Sequence, residues 1–417
     1  MHAVLFVAAA ALAAEPAKSV PTKPLDPEPI AVGLGDLPKP FATDSAQKSP
    51  KVVAVPDGLT LNVPEGFSVN LFAEGIEKAR WLCVSPWNDV LVSCGRTNKI
   101  HLLRDTDGDG VSDERHLFLD EEGGAKLPFG MDFAEDDQQR WWFILANTDG
   151  VWRFPYQKGK LTLDSKPQLL TELPGEGYNQ HWTRNVRLGP DGKTLFVTVG
   201  SESNVDVEAP PRAAVLTMDL EGGDRKVYAS GLRNPVGLDF HPQSGEPFVN
   251  VNERDKLGDN LVPDYFTRVR EGGFYGWPYA YLSPDNLDPR RMNGERSERP
   301  DLAARTITPD VLYQAHSAAL GVAFTRGEAF PQKYRNGAFS VFRGSWNRDT
   351  GTGYKVVFVP FEGTEPVGHY EDFLTGFLLK PEVPEACARP VGCAFLDGSL
   401  LVTDEGNGRV YRVSYGK

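Results

Sequence analysis

A pattern that recurs six times constrains the fold of this chain more than any other feature of its sequence. From about Pro64 onward, each unit contains a turn, a strand with Gly-apolar-x-Phe or a related series, a second turn and a strongly apolar β run. The units start near Ala79, Leu127, Thr183, Asn234, Leu320 and Arg389. One such unit cannot bury both faces of its sheet, whereas neighbouring units packed radially can.

The repeats predict an all-β fold, specifically a six-bladed β-propeller over residues 59–417, with little helix. Two stacked β-sandwiches are the alternative architecture. A strand at residues 67–73 is expected to pair with the last blade and close the ring, which removes an exposed sheet edge. The composition agrees, because 42 glycines, 33 prolines and an aromatic content of 11% favour short strands and tight turns.

The N-terminus predicts export to the periplasm or the extracellular space. Residues 1–14 contain an apolar run that ends in Ala11-Leu12-Ala13, as in a signal peptide, with a buried strand or helix as the alternative. Residues 15–58 contain nine prolines and are expected to form an extended, disordered linker. No later segment is apolar for 18 residues, so the protein is not expected to span a membrane.

The net charge and the cysteine content limit the classes of partner and of attached cofactor that are expected for this protein. With 44 basic and 57 acidic residues the net charge is −13, which repels a phosphate backbone, so no nucleic-acid partner is expected. Cys83 with Cys94, and Cys387 with Cys393, could form disulfides in an oxidising compartment, or all four could be buried thiols. No Cys-x-x-Cys-His motif occurs, so no c-type haem is attached to the chain.

Polar and aromatic residues stand just before the repeated strands, where the loops of a propeller reach its central channel. They are Trp81, Phe129, His181, Trp182, Arg184, Arg233, Asn234, His316 and Arg389. Three arginines and two histidines that converge on one axis require an anionic partner, because a buried cluster of one sign is otherwise destabilising. The sequence therefore predicts a polyanionic small-molecule ligand.

An acidic loop predicts a separate calcium site. Asp105, Asp107, Asp109 and Asp113 occupy loop positions 1, 3, 5 and 9, with glycine at position 6. That spacing surrounds one calcium ion with oxygen ligands. Position 12 is His116 instead of glutamate, so a true EF-hand is not predicted. We expect a structural calcium here, and a solvated acidic turn is the alternative.

Longer blocks of the sequence resemble a known family. The blocks are HWTRNVRLGPDGKTLFVTVGS (181–201), GLRNPVGLDF (231–240), VNERDKLGDNLVPDYF (251–266), GGFYGWPY (272–279), HSAALGVAF (316–324), GSWNR (344–348) and GYKVVFVPF (353–361). Together they resemble the sorbosone dehydrogenase family, relatives of the soluble PQQ-dependent aldose dehydrogenases. The resemblance implies oxidation of a sugar or related aldehyde or alcohol. It also implies PQQ (a tricarboxylated ortho-quinone), Ca²⁺, and a separate electron acceptor such as a cytochrome or quinone.

The resemblance also implies roles for individual residues. It makes His181 the general base for the substrate hydroxyl, which requires a neutral imidazole, and it gives Arg233 a catalytic role as well. The cofactor-binding residues that it implies are Arg233, Asn234, Arg389, Arg343, Arg184 and Asn204. The residues that it implies at the substrate rim are Trp182, Tyr275, Trp277 and His316. The backbone carbonyls of Arg254 and Asp255 are the implied ligands of the cofactor calcium.

Three positions depart from the family pattern. Gln180 stands where the aldose dehydrogenases have an acid beside the base, and Cys387 stands where they have a second arginine. Arg343 precedes Gly344, where many relatives have histidine. Two other functions stay open on the sequence. They are a calcium-dependent, lactonase-like propeller hydrolase, which needs an acid-lined channel, and a non-catalytic exported propeller that binds a partner.

Overall fold

Six sheets, each built on four antiparallel strands, dominate the computed structural model, which describes residues 18–175 and 180–416; short strands extend three of the sheets. Sheet 1 contains Trp81–Val84, Val90–Cys94, Lys99–Arg104 and Glu114–Leu119. Sheet 2 contains Met131–Glu135, Trp141–Asn147, Gly150–Tyr156 and Gln168–Glu172. Sheet 3 contains Arg184–Leu188, Leu195–Val199, Ala214–Met218 and Lys226–Ser230. Sheet 4 contains Pro235–Phe240, Pro247–Val251, Tyr265–Arg268 and Val311–Leu312. Sheet 5 contains Ala319–Phe324, Gly337–Phe342, Lys355–Glu362 and Tyr370–Leu374. Sheet 6 contains Pro390–Leu396, Ser399–Asp404, Arg409–Tyr415 and Phe67–Ala73.

Short elements complete the architecture. The minor strands are Ser19–Val20, Thr22–Leu25, Pro29–Ile30, Lys51–Val52, Leu61–Pro64, Gly273–Phe274, Met292–Asn293, Arg296–Ser297, Glu365–Pro366, Leu378–Lys380 and Glu385–Ala386. In the described part of the chain, helix is limited to Pro300–Ala303 and the 3₁₀ turns Leu34–Asp36, Gly95–Thr97 and Gln332–Tyr334. The predicted all-β class is confirmed, and none of these helices is long and apolar enough to cross a bilayer.

The predicted repeats coincide with the sheets. Each of the six repeats covers the first two strands of one sheet. The first strand of every sheet contacts the first strands of the sheets before and after it, and sheet 6 contacts sheet 1 in the same way. The predicted strand at 67–73 is confirmed as Phe67–Ala73, which pairs antiparallel with Arg409–Tyr415 of sheet 6.

The repeated glycine has a steric cause. A Cβ atom at Gly237 would lie 2.1 Å from the carbonyl oxygen of Leu320 in sheet 5, and one at Gly392 would lie 2.8 Å from that of Arg80 beside sheet 1. Real Cβ atoms do not approach backbone that closely. Glycine therefore recurs in the Gly-apolar-x-Phe motif because it lets the backbones of neighbouring first strands meet.

One apolar side chain from each repeat meets at the centre of the molecule. Trp81, Phe129, Trp182, Val236, Leu320 and Val391 form a single buried cluster. The Trp81 and Phe129 rings lie 4.5 Å apart, and the edge of Trp182 lies 6.1 Å from Phe129. Side chains of this size exclude water, so the cluster closes the space between the six first strands and forms a floor.

The segment before the sheets is ordered, which corrects the prediction of a disordered linker at 15–58 for its described residues. Ser19–Val20 pairs with sheet 6, Pro29–Ile30 with sheet 5 and Thr22–Leu25 with Leu61–Pro64. Proline lacks an N–H group, but it is tolerated in short edge strands, where only one side is paired. The prolines therefore divide this segment into short strands that lie along the edges of the sheets. The predicted signal peptide, residues 1–14, lies outside the described residues.

The four cysteines are buried free thiols, so neither disulfide pair is formed. The register of sheet 1 explains the first pair, because Cys83 lies opposite Leu91, and Cys94 lies opposite Lys99 on the next strand. In the second pair, the Cys387 thiol points to the carbonyl of Phe377 and the Cys393 thiol to that of Phe339.

Candidate active site

A cavity of about 290 Å³ lies above the aromatic floor and is lined from five of the six sheets. Trp182 and Leu320 belong to both the floor and the cavity wall. Of the residues predicted for the site, eight line the cavity: His181, Trp182, Arg233, Asn234, Asp255, His316, Arg343 and Arg389. The loops before the first strands therefore bring the predicted histidines and most of the predicted arginines together.

His181 is held as a neutral imidazole. Its Nδ1 atom lies 2.9 Å from the carbonyl oxygen of Ser201, and because a carbonyl can only accept, Nδ1 carries the hydrogen. Nε2 is then the lone-pair nitrogen, and it lies 3.5 Å from the side-chain amide nitrogen of Gln180. Burial, and secondarily the positive charge of Arg233, hold the pKa of His181 well below 6.5. The ring can therefore accept a proton at neutral pH.

His316 has the opposite protonation preference. Its Nε2 lies 2.9 Å from the carbonyl oxygen of Gly258, and its Nδ1 lies 3.6 Å from a carboxylate oxygen of Asp255. Burial lowers the pKa of His316, but the hydrogen bond and charge of Asp255, together with the Gly258 carbonyl and Asp264, outweigh burial, and the net pKa is raised. Both ring nitrogens face acceptors, so His316 is suited to be a charged donor and not a base.

Arg233 holds the turn that contains residues 252–255. Its Nη1 donates to the carbonyls of Glu253 (2.6 Å) and Asn252 (3.2 Å), and its Nη2 donates to Asp255 Oδ2 at 3.0 Å. Nε and the second Nη2 hydrogen go to Asn204, at 3.1 and 3.0 Å. All five donors of the guanidinium are thus used by the protein. Arg233 contributes positive charge to the cavity without offering it a free N–H group.

Four arginines meet at the other end of the cavity. Arg343 and Arg80 both pair with Glu405, the latter at 2.7 Å, and Arg96 and Arg389 line the same wall. The Arg389 guanidinium has only distant contacts, at 3.4 and 3.3 Å, to the carbonyls of Arg343 and Gly344. Burial, and then the nearby Arg343, lower the pKa of Arg389 to about 9, so it is still charged at neutral pH.

Sequence reasoning missed Arg80, Arg96, Glu405 and Glu253. Arg80 directly precedes the first strand of sheet 1, the same position from which Arg389 was selected in sheet 6, and could have been found by that rule. Arg96 and Glu405 stand after second strands, where the repeat pattern marks nothing. The contacts of sheet 6 with sheet 5 and with sheet 1 bring them beside Arg343.

Two residues of the cavity lining carry buried oxygens that lack a hydrogen-bond donor from the part of the chain that the structure describes. Among the described residues, Asn234 Oδ1 and Glu253 Oε1 are buried without a hydrogen-bond donor. Burial raises the pKa of Glu253 to about 8. Oxygen atoms that lack donors are suited to a hard cation such as calcium. The carbonyl of Asp255, expected as a calcium ligand, already accepts from Arg254 (2.7 Å) and Asn204 (3.1 Å).

Five of the residues predicted for the site lie behind the cavity wall. They are Arg184, Asn204, Arg254, Tyr275 and Trp277. Arg184 donates to the carbonyls of His181 and Pro174, and Asn204 links Arg233 to Asp255. The Arg254 guanidinium pairs with Asp288. These three position loops and do not face the cavity.

The assignment of Tyr275 and Trp277 to the substrate rim is corrected. Tyr275 is fully buried in the core of sheet 4 and donates to the carbonyl of Arg268, and Trp277 donates to the carbonyl of Asn204. The aromatic residue at the rim is instead Trp346, which lines the cavity and is 37% exposed. Its exposure is set by the surrounding loops, which sequence periodicity does not describe.

A strap formed by residues 41–53 supports that rim. Ser45 Oγ accepts from the Gly258 amide at 3.0 Å, and the Lys48 amide donates to the carbonyl of Trp346 at 2.8 Å. The buried Asn347 joins the two loops, because its Nδ2 donates to Ala46 at 2.6 Å and its Oδ1 accepts from the Lys256 amide at 2.7 Å. The strap therefore fixes the loops that contain Trp346 and Asp255.

The acidic loop lies apart from the cavity. Potential ligand atoms of Asp105, Asp107 and Asp109 lie within 4.8 Å of one another. Asp113 instead accepts from the amide and hydroxyl of Thr106, at 3.1 and 2.7 Å. Asp105 also pairs with Arg412 at 3.1 Å. Three of the four predicted carboxylates therefore gather, while the fourth holds the turn.

Comparisons with known proteins identify the family to which the chain belongs. The sequence model of the TrAA12-like family matches residues 61–264 and 291–416, and that of Glucose / Sorbosone dehydrogenase matches residues 214–341. An uncharacterized protein of Borreliella burgdorferi is 29% identical over 370 residues, which are 86% of this chain and 92% of the relative. The pyrroloquinoline quinone-dependent pyranose dehydrogenase of Coprinopsis cinerea is 23% identical over 84% of this chain and 54% of its own length. The chain thus spans about half of that enzyme.

Solved structures share the fold. The holo PQQ domain of the Coprinopsis cinerea pyranose dehydrogenase has a TM-score of 0.70 at 20% identity, covering 88% of this chain and 100% of its own. The calcium structure of the Trichoderma reesei AA12 protein has a TM-score of 0.70 at 18% identity, with coverages of 90% and 99%. The Escherichia coli aldose sugar dehydrogenase in the apo form scores 0.60 at 17% identity, with coverages of 84% and 99%. The resemblance to glucose and sorbosone dehydrogenases is confirmed, and the protein belongs to the TrAA12-like family.

Proposed function

We propose that the protein is an exported PQQ- and calcium-dependent dehydrogenase that oxidises a sugar or a related aldehyde or alcohol. We further propose that its six sheets are the blades of a six-bladed propeller that Phe67–Ala73 closes. The cyclic contacts between first strands and the central cluster of one side chain per repeat support this architecture. The matched families and the pyranose and aldose dehydrogenases among its relatives support the reaction class.

One observation supports the function more than any other. A neutral base, His181, and four arginines with a single nearby carboxylate, Glu405, line the same cavity. Redox transfer from a sugar needs a base for the hydroxyl proton and a site for the electron acceptor. An anionic acceptor suits the arginine end, because guanidinium groups bind carboxylates through paired N–H donors.

The chain's own residues have separate roles in this reaction. When bound, PQQ would supply the quinone that accepts hydride from the substrate. His181 Nε2 takes the hydroxyl proton, and the Ser201 carbonyl keeps the ring in the required tautomer. The exposed face of Trp346 offers an apolar surface for a sugar ring at the rim.

The residues present fit both groups. Arg343 and Arg389 would hold carboxylates of PQQ. The unpartnered oxygens of Asn234 and Glu253, with the backbone carbonyl of Arg254, would hold its calcium, whereas the Asp255 carbonyl is already occupied by donors from Arg254 and Asn204. A calcium ion beside the quinone would stabilise negative charge there. The proposal includes a separate electron acceptor, a cytochrome or a quinone.

The departures from the family pattern are compatible with this assignment. Gln180 replaces the acid beside the base, but Ser201 already orients His181 through Nδ1. Arg343 is paired with Glu405, and Cys387 is turned away toward Phe377. A second, structural calcium at Asp105, Asp107 and Asp109 is part of the proposal, supported by their convergence.

Reconstitution tests the proposal directly. Purified apo-protein is titrated with PQQ in the presence of calcium while the PQQ absorbance is recorded, and reduction of an artificial dye is then measured over a panel of aldoses and aldehydes. Stoichiometric PQQ binding and sugar-dependent dye reduction are expected. Failure to bind PQQ at micromolar concentrations with calcium present would reject the proposal.

The hydrolase alternative has one observation in its favour, because Glu253, Asp255 and Asp264 also line the cavity. Asp255 pairs with Arg233, however, and Asp264 accepts from the amides of Glu253 and Ala318. Only Glu253 keeps an unpartnered oxygen in this group. Hydrolysis of sugar lactones by the calcium-loaded protein without PQQ would favour the hydrolase.

A further inference from the structure

The cationic end of the cavity has an excess of charge that the residues implied by family resemblance do not explain. Arg343 and Arg389 were the arginines expected there, and Glu405 neutralises one of them. The structure adds Arg80 and Arg96, so four guanidinium groups surround one carboxylate. The group therefore has three positive charges in excess. Three is also the number of carboxylates on PQQ.

Arg80 is the more deeply placed of the two additional arginines. It is 6% exposed, and its Nη1 pairs with Glu405 Oε2 at 2.7 Å. Its guanidinium carbon lies 4.9 Å from the centre of the Trp182 ring and 5.7 Å from that of Phe129. The Nε atom is buried without an acceptor among the described residues. A buried, charged donor without an acceptor favours an anionic ligand in the adjoining cavity.

Arg96 approaches the same aromatic ring from the 3₁₀ turn Gly95–Thr97, in which Arg96 is exposed and Gly95 is buried. Its guanidinium carbon lies 5.0 Å from the centre of the Trp182 ring. Gly95 makes this approach feasible, because a Cβ there would lie 2.6 Å from the ring of Trp182. In the described part of the chain, no carboxylate lies within ion-pair distance of Arg96. Its positive charge is therefore available to a ligand.

A second pocket shares the residues Arg96, Arg343, Arg389 and Glu405 with this end of the cavity. It adds the positive charge of Lys78, and Glu405 is its carboxylate. An anion that enters from solvent would meet positive charge before it reaches the floor. Charged walls of this kind increase the association rate of an oppositely charged ligand.

We propose that Arg80 and Arg96, arranged around Trp182, bind carboxylates of PQQ and replace the second arginine that this chain lacks at Cys387. This inference rests on the proposed function and adds two residues from sheet 1 to the cofactor site. Arg80 and Arg96 are contributed by a different sheet from Arg389. The anion would thus be held between the last and the first sheets, where the two ends of the chain's repeats meet.

Binding of PQQ to apo-protein tests the inference without measuring activity. The variants are Arg80→Gln and Arg96→Gln, with the exposed Arg305→Gln as the matched control. Arg80→Gln should weaken PQQ binding by about 10- to 100-fold and the more exposed Arg96→Gln by about 3- to 10-fold, in line with buried and exposed charged hydrogen bonds. Arg305→Gln should bind as the wild type does. Arg96 lies at the surface, so its variant tests the inference even if Arg80→Gln fails to fold.

A neutral probe separates charge from packing. The trimethyl ester of PQQ has the same ring system without its carboxylate charges, so it should bind the wild type and Arg96→Gln equally. Unchanged PQQ affinity in Arg96→Gln, or an equal loss for PQQ and its ester, would overturn the inference. A changed KM for sugar with unchanged PQQ affinity would also overturn it, since the arginines would then face the substrate. A wild-type protein that does not bind PQQ would instead reject the proposed function.

Discussion

The Nδ1 atom of His181 lies 2.9 Å from the carbonyl oxygen of Ser201, and this contact determines which nitrogen of the ring is basic. His316 lines the same cavity with both nitrogens facing acceptors, Gly258 and Asp255. The two histidines therefore differ in charge although both are buried, because one faces a carbonyl and an arginine and the other a carboxylate. Only His181 is suited to accept a proton.

His181→Ala should lower kcat by about 10²-fold or more, the usual contribution of a general base. PQQ affinity should stay close to that of the wild type, because the arginine end is untouched. Dye reduction and PQQ titration measure the two effects separately, and His369→Ala, outside the cavity, is the control. Near-normal turnover would exclude His181 as the base.

The pH profile should show where His181 titrates. Burial and then Arg233 hold its pKa well below 6.5, so the ring is uncharged and able to accept a proton from neutral pH down to at least 6.5. kcat/KM should therefore be constant over that interval and decrease only at lower pH, where the imidazole becomes protonated. An acid limb at or above pH 6.5 would show that the cavity does not lower this pKa.

Arg389→Gln should weaken PQQ binding by about 10- to 100-fold, as expected for loss of a charged hydrogen-bonding partner of a carboxylate. Its guanidinium makes only long contacts to carbonyl oxygens in the protein, so its removal leaves no buried charge unpaired. Absorbance titration of apo-protein with PQQ measures the affinity, with Arg305→Gln as the control. An unchanged affinity would remove Arg389 from the cofactor site.

Asn347→Ala should destabilise the protein by about 1–3 kcal/mol, because it leaves the Lys256 amide and the Ala46 carbonyl without their partner. Asn347 is fully buried, whereas Asn293, the control position, is exposed. Denaturant unfolding measures the change in the free energy of unfolding. Limited proteolysis should also cut residues 41–53 faster in the variant. Equal stability of the variant and the wild type would show that the strap does not depend on Asn347.

Asp107→Asn should reduce the number of bound calcium ions by one while PQQ-dependent dye reduction persists, because the acidic loop lies apart from the cavity. Metal analysis after dialysis against calcium measures the stoichiometry. Asp137→Asn, whose side chain is 84% exposed, is the control. The same calcium content in all three proteins would identify the loop as a solvated acidic turn.

The chain order of strands and the residues just before them could be predicted from the sequence. A turn, a strand with Gly-apolar-x-Phe or a related series and a strongly apolar β run identified each of the six units, and Phe67–Ala73 was predicted to the residue. His181, Arg233, Asn234 and Arg389 were selected because they precede repeated strands. Such features are local, since they depend on backbone packing that recurs in every unit.

Other features depended on contacts between distant parts of the chain. Tyr275 and Trp277 belong to a block typical of the family, but loop packing buries them behind the cavity wall. The proline-rich segment contains no apolar periodicity, and its order comes from sheet edges and from loops near residues 258 and 346. Local composition does not describe such long-range pairing, so the prediction of disorder was wrong for the described residues.

The sequence by itself determined the repeat and the all-β class, and it made His181 the candidate base, because each depends on residue type at a fixed distance from a strand. The tertiary structure alone decided the protonation of the two histidines and which charged residues lie beside Arg343 and Arg389. Those properties depend on which carbonyls and charges lie within a few ångströms after the sheets have packed. Arg80 and Arg343 are 263 positions apart in the chain, yet both pair with Glu405, since sheets 1, 5 and 6 converge on one cavity.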